Sequence, residues 1–127
     1  MKRFSIIFGA IALSAAAGGA AAAPRLKAIM HDWKANAASA EQLLAGRGAY
    51  DQAEMGRILQ TFISNSQDLG ARAGGAGAQA QDIKARFASF EANAKAALDA
   101  VGAEDQARKR FAQMRGECRS CHDVYAN

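Results

Sequence analysis

The stretch that decides the fold is the last one, ARKRFAQMRGECRSCHDVY, residues 107–125. Ala107, Phe111, Met114, Cys118, His122 and Tyr125 recur along it in steps of three and four, the period of one face of an α-helix. Most residues between them are charged or polar, so this helix has one apolar face to bury. That face needs partners, and the rest of the chain supplies them.

Three further stripes have the same period. The first reads Leu26, Ile29, Met30, Trp33, Ala37, Ala40, Leu44; Gly46 and Gly48 end it, and Asp51 is suited to cap its successor. The second reads Met55, Ile58, Leu59, Phe62, Ile63, with Leu69 and Gly70 near its end. The third reads Ile83, Phe87, Phe90, Ala94, Leu98, Val101 and stops at Gly102. Between the second and third lies a loose tract, 71–79, with Gly74, Gly75 and Gly77, the one real linker. No segment alternates with period two over a strand's length. Short connections make successive helices antiparallel, so the predicted fold is all-α, an up-down-up-down four-helix bundle. Gly56 and Gly116 fall inside predicted helices, where each costs about 1 kcal/mol relative to Ala. Gly116 is either room for a bulky group beside the cysteines or a tolerated weak spot.

The first 23 residues stand apart. Lys2 and Arg3 precede an apolar run from Phe4 to Leu13, and an Ala/Gly tract offers Ala-x-Ala cleavage options before Pro24. This is the pattern of a secretory signal peptide. A membrane anchor is the competing reading, but the strongly apolar part covers roughly ten residues and a span needs about 20. The expectation is a cleaved leader, 1–23, and a bundle, 24–127, in the periplasm with no integral membrane span. The chain carries 16 Lys and Arg against 12 Asp and Glu; losing Lys2 and Arg3 with the leader leaves +2. Interspersed signs at that level are no footprint for nucleic acid. No general acid–base pair, nucleophile or substrate pocket is legible, so no enzyme is expected.

Both cysteines lie three residues apart, at 118 and 121. A disulfide between them would close a tiny loop and constrain little. Zinc needs four ligands, and the chain offers Cys118, Cys121, His122 and the distant His31. A thioredoxin-like C-x-x-C belongs near a βαβ pattern, and none is present. A chance occurrence would leave a pair of reactive thiols on an exported protein, which is unusual, and a haem-free helical or zinc-stabilised module is the reading if the cysteines are unmodified; the reading adopted is C-x-x-C-H as the attachment signature of haem c. Two thiols on one helical face can each form a thioether with a vinyl group on the same haem edge, and His122 is then placed to ligate the iron. An imidazole ligand supports both electron transfer and gas binding, so the motif leaves that choice open.

A haem-attachment motif in the last helix of a four-helix bundle resembles the class II cytochromes c, the cytochrome c-prime family. The likeness covers the mature chain, with anchors at Arg25 to Met30, at Ala49-Tyr50-Asp51, at Ile83 with Phe90, and at Cys118 to Tyr125. In that family the distal haem residue lies about twenty positions before the first-turn Tyr, and twenty before Tyr50 is Met30. The resemblance implies a single covalent haem c at Cys118 and Cys121, with His122 as proximal ligand. In the low-spin cytochrome c-556 branch a Met at this place is the sixth ligand; in the high-spin branch the iron stays five-coordinate. The chain departs from the family at Ala49, where Pro is usual, and at Leu26, where Arg is common. At Ala126, high-spin members often carry a basic residue.

Two functions follow. With Met30 ligated, the protein shuttles single electrons between redox partner proteins, and this is the expectation. With Met30 merely packed over an open distal site, it binds NO or CO. His31, adjacent to Met30, points about 100° away around the helix and is expected at the surface, with bis-His ligation the competing assignment. Arg108-Lys109-Arg110 reads as a solvated face or, alternatively, a dock for an acidic redox partner. Dimerisation through the first two helices is common in the family, and Asp32, Lys34, Glu41 and Arg47 leave a homodimer open.

Overall fold

The computed structural model describes residues 19–46, 48–72 and 77–125. Most of the expected leader, Arg47, the centre of the 71–79 linker and Ala126 lie outside them. Among the described residues there are four helices and no strand: α1 (Gly19–Leu44), α2 (Gln52–Arg72), α3 (Ala78–Asp99) and α4 (Glu104–Tyr125). None is long and apolar enough to cross a membrane.

Local chemistry sets the boundaries. Gly46 takes φ +72°, the left-handed conformation that ends helices at little cost to a residue without Cβ. Asp51 caps α2, its Oδ1 accepting the Glu54 N–H at 2.9 Å. Arg108 of α4 donates from Nε to the Leu44 carbonyl at 2.9 Å and satisfies an end of α1, while Glu104 and Asp105 pair with its other nitrogens. That arginine of the basic cluster is a helix cap rather than a free charge. α1 begins at Gly19, within the expected leader, and α2 continues to Arg72, into the start of the expected 71–79 linker.

Cross-helix contacts give the topology. Asp82 meets Tyr125, Arg86 meets Ser120 and Asn93 meets Glu117, so α3 and α4 run antiparallel. Leu44 meets Arg108 and Glu41 meets Arg115, so α1 and α4 do too. Tyr50 Oη donates to the Val101 carbonyl at 2.8 Å, joining the α1–α2 and α3–α4 turns at one end of the bundle. At that end the core is closed by small residues against large ones. Ala40, Ala94, Ala97 and Ala107 are fully buried beside Met55, Ile58 and Leu59. Helices α2, α3 and α4 pack in sequence, whereas α1 meets α4 only sparsely.

Candidate functional site

Toward the other end of the bundle the sparse α1–α4 contact leaves room. A cavity of about 670 Å³ opens there, within the roughly 300–1,000 Å³ usual for small-molecule and cofactor sites. All four helices contribute to its wall. The interior is aromatic and apolar: Trp33 from α1, Phe62 from α2, Phe87 and Phe90 from α3, Phe111 and Met114 from α4. Trp33 stacks on Phe90 with centroids 4.8 Å apart and meets Phe62 edge-on at 5.3 Å. Such contacts fix ring positions as well as burying area.

The four residues singled out in the sequence all line this one cavity: Met30 from α1, and Cys118, Cys121 and His122 from α4. Met30 and both cysteines are half-buried and His122 is exposed. The cysteines are free thiols. Burial pushes the Cys118 thiol up, as do Glu117 and Cys121, with Arg115 opposing; burial also pushes up Cys121, with Arg86 opposing. Reactive, redox-sensing cysteines have depressed values, so the shifts run against a free-thiolate role. The described residues hold no cluster of three or more His, Cys, Asp and Glu that could bind a bare metal ion. His31 is a surface residue 3.8 Å from Asp32 and does not line the cavity. Met55 lies in the closed core, and Met114 is buried on the cavity wall.

Several wall residues were not legible as such. Glu117 Oε1 accepts from Ser89 Oγ at 2.6 Å and from Asn93 Nδ2 at 2.7 Å, tying α4 to α3 just before the first cysteine. Two wall residues carry buried polar atoms with no partner, Trp33 Nε1 and Glu117 Oε2. Lys34, Arg86, Arg115 and Arg119 supply four cations against the single acid Glu117. Lys34 could have been found from its place one turn beyond Met30; the others need the packing of α3 on α4. Tyr125 packs on α3, where its hydroxyl donates to Asp82 and Arg86 lies 5.8 Å over its ring.

No protein-family model, no curated protein and no solved structure matches the chain.

Proposed function

We propose that the chain is an exported c-type cytochrome of the class II kind, transferring single electrons through one covalent haem c with His122 and Met30 as axial ligands. The observation that carries this reading is one cavity joining Met30 to Cys118, Cys121 and His122, which come from opposite ends of the bundle sequence. The residues fit such a group. A porphyrin has a broad apolar body, for which the wall offers five aromatic rings, and an acidic edge, for which it offers four cations. An iron carried in by a macrocycle needs only axial donors from the protein. An imidazole on α4 and a thioether on α1 are donors of the right kind.

When bound, the haem supplies an iron that cycles between ferric and ferrous states. The chain does the rest. Cys118 and Cys121 would hold the group covalently, and His122 and Met30 would supply its iron with protein ligands. Trp33, Phe62, Phe87, Phe90 and Phe111 keep water from the interior. A methionine paired with a histidine would raise the potential and would leave an outside ligand no ready access to the iron. Removal of residues 1–23 would leave Pro24 at the start of α1, where its missing N–H costs nothing.

Visible spectra of the exported protein, oxidised and reduced, with and without CO, test the reading. Split low-spin bands indifferent to CO are expected, and Met30→Ala should become CO-reactive. A high-spin spectrum that shifts with CO replaces electron transfer by gas binding. The double variant Cys118→Ser/Cys121→Ser should retain no haem through acid-acetone extraction, and its retaining haem would remove the covalent assignment.

A further inference from the structure

We propose that the Glu117 carboxylate is the charge that holds down the reduction potential of the group tethered at Cys118, an assignment resting on the haem reading above. Glu117 stands directly before Cys118 on α4, and both line the cavity. Its Oε1 accepts from Ser89 Oγ at 2.6 Å and from Asn93 Nδ2 at 2.7 Å, so it acts as an acceptor only, as an ionised carboxylate does. Its Oε2 is buried and has no partner among the described residues. The cations of the wall are placed differently. Arg86 and Arg115 pair with Asp82 and Glu41, and Lys34 and Arg119 are exposed, where water and salt screen them.

The field of this carboxylate already reaches the attachment point. Burial pushes the Cys118 thiol up; Arg115 pulls it down, and the charges of Glu117 and Cys121 push it up again. A ring joined to that sulfur through a vinyl carbon lies against the same wall. Its tethered edge is hydrocarbon and brings Oε2 no donor, and its own carboxylates are at the far edge, away from a like charge. The Glu117 charge therefore stays uncompensated by the group and acts on the iron. Reduction brings one electron from a redox partner protein and moves no proton at Glu117. The iron centre then becomes less positive by one unit beside a fixed negative charge. Across a low-dielectric wall that attraction favours the ferric state by about tenfold in the reduction equilibrium. Ser89 and Asn93 are the positioning residues, holding the carboxylate in the wall.

The test is a redox titration of the exported, haem-bearing protein at neutral pH, at low and at high ionic strength. Glu117→Gln keeps an acceptor for Ser89 and Asn93 and removes the charge. It should shift the equilibrium about tenfold toward the reduced state, or about 59 mV for one electron, with the visible spectrum unchanged. Salt should leave that shift in place, because a buried charge is screened little. Glu117→Asp keeps the charge and should keep the potential. Glu91→Gln, the same change of charge on α3 away from the cavity wall, should shift it less and only at low salt. A second readout needs no haem. In the haem-free Cys121→Ser chain, Glu117→Gln should lower the pH midpoint for alkylation of Cys118 by iodoacetamide. Three results overturn the assignment and leave the haem reading standing: a potential that Glu117→Gln does not move, a shift that high salt erases, or a Glu117→Asp variant that moves as far as Glu117→Gln. So does an unmoved Cys118 midpoint. An exported protein without haem overturns both.

Discussion

The two halves of this bundle are built on opposite plans. Near the Tyr50–Val101 end, alanines on α1, α3 and α4 let the backbones close on Met55, Ile58 and Leu59, and nothing polar is needed inside. Near the cysteine end, large rings stand apart around a cavity, and the helices are held by polar ties across their seams. Those ties include Glu117 with Ser89 and Asn93, Asp82 with Tyr125, Arg86 with Ser120, and Glu41 with Arg115. Apolar packing gains by filling space, whereas a hydrogen bond or ion pair can hold two helices at a spacing that leaves space unfilled. The closed half contributes stability, and the open half is shaped for an occupant.

The same chemical change in the two halves should therefore do different things. Met55 is fully buried in the closed half, and Met55→Ala should cost about 2–5 kcal/mol in urea unfolding of the haem-free chain. Met30 is half-buried on the cavity wall, and Met30→Ala should cost no more than about 1 kcal/mol there. If the chain carries haem as proposed, the order of functional effect should reverse: Met30→Ala would open the iron to CO and Met55→Ala would leave the spectrum alone. Equal stability losses would mean that the cavity collapses in the haem-free chain, and the division between halves would fail.

The closed half was largely legible in the sequence because its apolar residues have no other place to go. Met55, Ile58, Leu59, Ala40, Ala94 and Ala107 all fell on the periodic stripes and all are buried. The periodicity slipped at the edges. Ala97 is fully buried while its neighbour Leu98 is only partly so, and Leu26 is 40% exposed despite lying on the first stripe. An alanine is a weak periodic signal. In the open half the sequence showed Met30, Cys118, Cys121 and His122, each by residue type and spacing. It did not show Ser66, buried with Oγ donating to the Phe62 carbonyl at 2.7 Å, which reads as a surface serine until helix packing covers it. Nor did it show Glu117 joined to Ser89 and Asn93, since residues far apart in sequence meet only once the α3–α4 register exists.

Polar ties answer to pH where apolar packing does not. Asp82 is held below its ordinary 3.8 by the Tyr125 hydroxyl first and by Arg86 second. A carboxyl depressed in the folded state contributes stability that is full above its unfolded value and lost as pH falls through the folded one. Acid should therefore loosen the open half below about pH 4, with the end of α4 freed from α3. Tyr125→Phe removes the larger cause. It should lower stability at neutral pH and flatten the stability–pH curve below pH 4, measured by urea midpoints across that range. A variant that shifts all midpoints equally would mean that Tyr125 acts through packing alone.

The smallest effect concerns two of the helical glycines, Gly56 and Gly116, one in each half. A Cβ at Gly116 would meet nothing within 4 Å, and one at Gly56 would meet Leu98 Cδ1 at 3.8 Å, an ordinary contact. Each glycine carries the entropic cost of an unrestricted backbone in the unfolded chain, so each change to Ala should raise stability by about 0.5–1 kcal/mol. Gly116 is exposed and absent from the cavity wall, although it sits two residues before Cys118. The sequence allowed it to be the place where a bulky group comes close; the fold turns it to solvent. Gly116→Ala should then gain the same stability as Gly56→Ala and keep full haem incorporation. A loss of incorporation in Gly116→Ala alone would bring the cavity's occupant around to that face of α4 and redraw the open half.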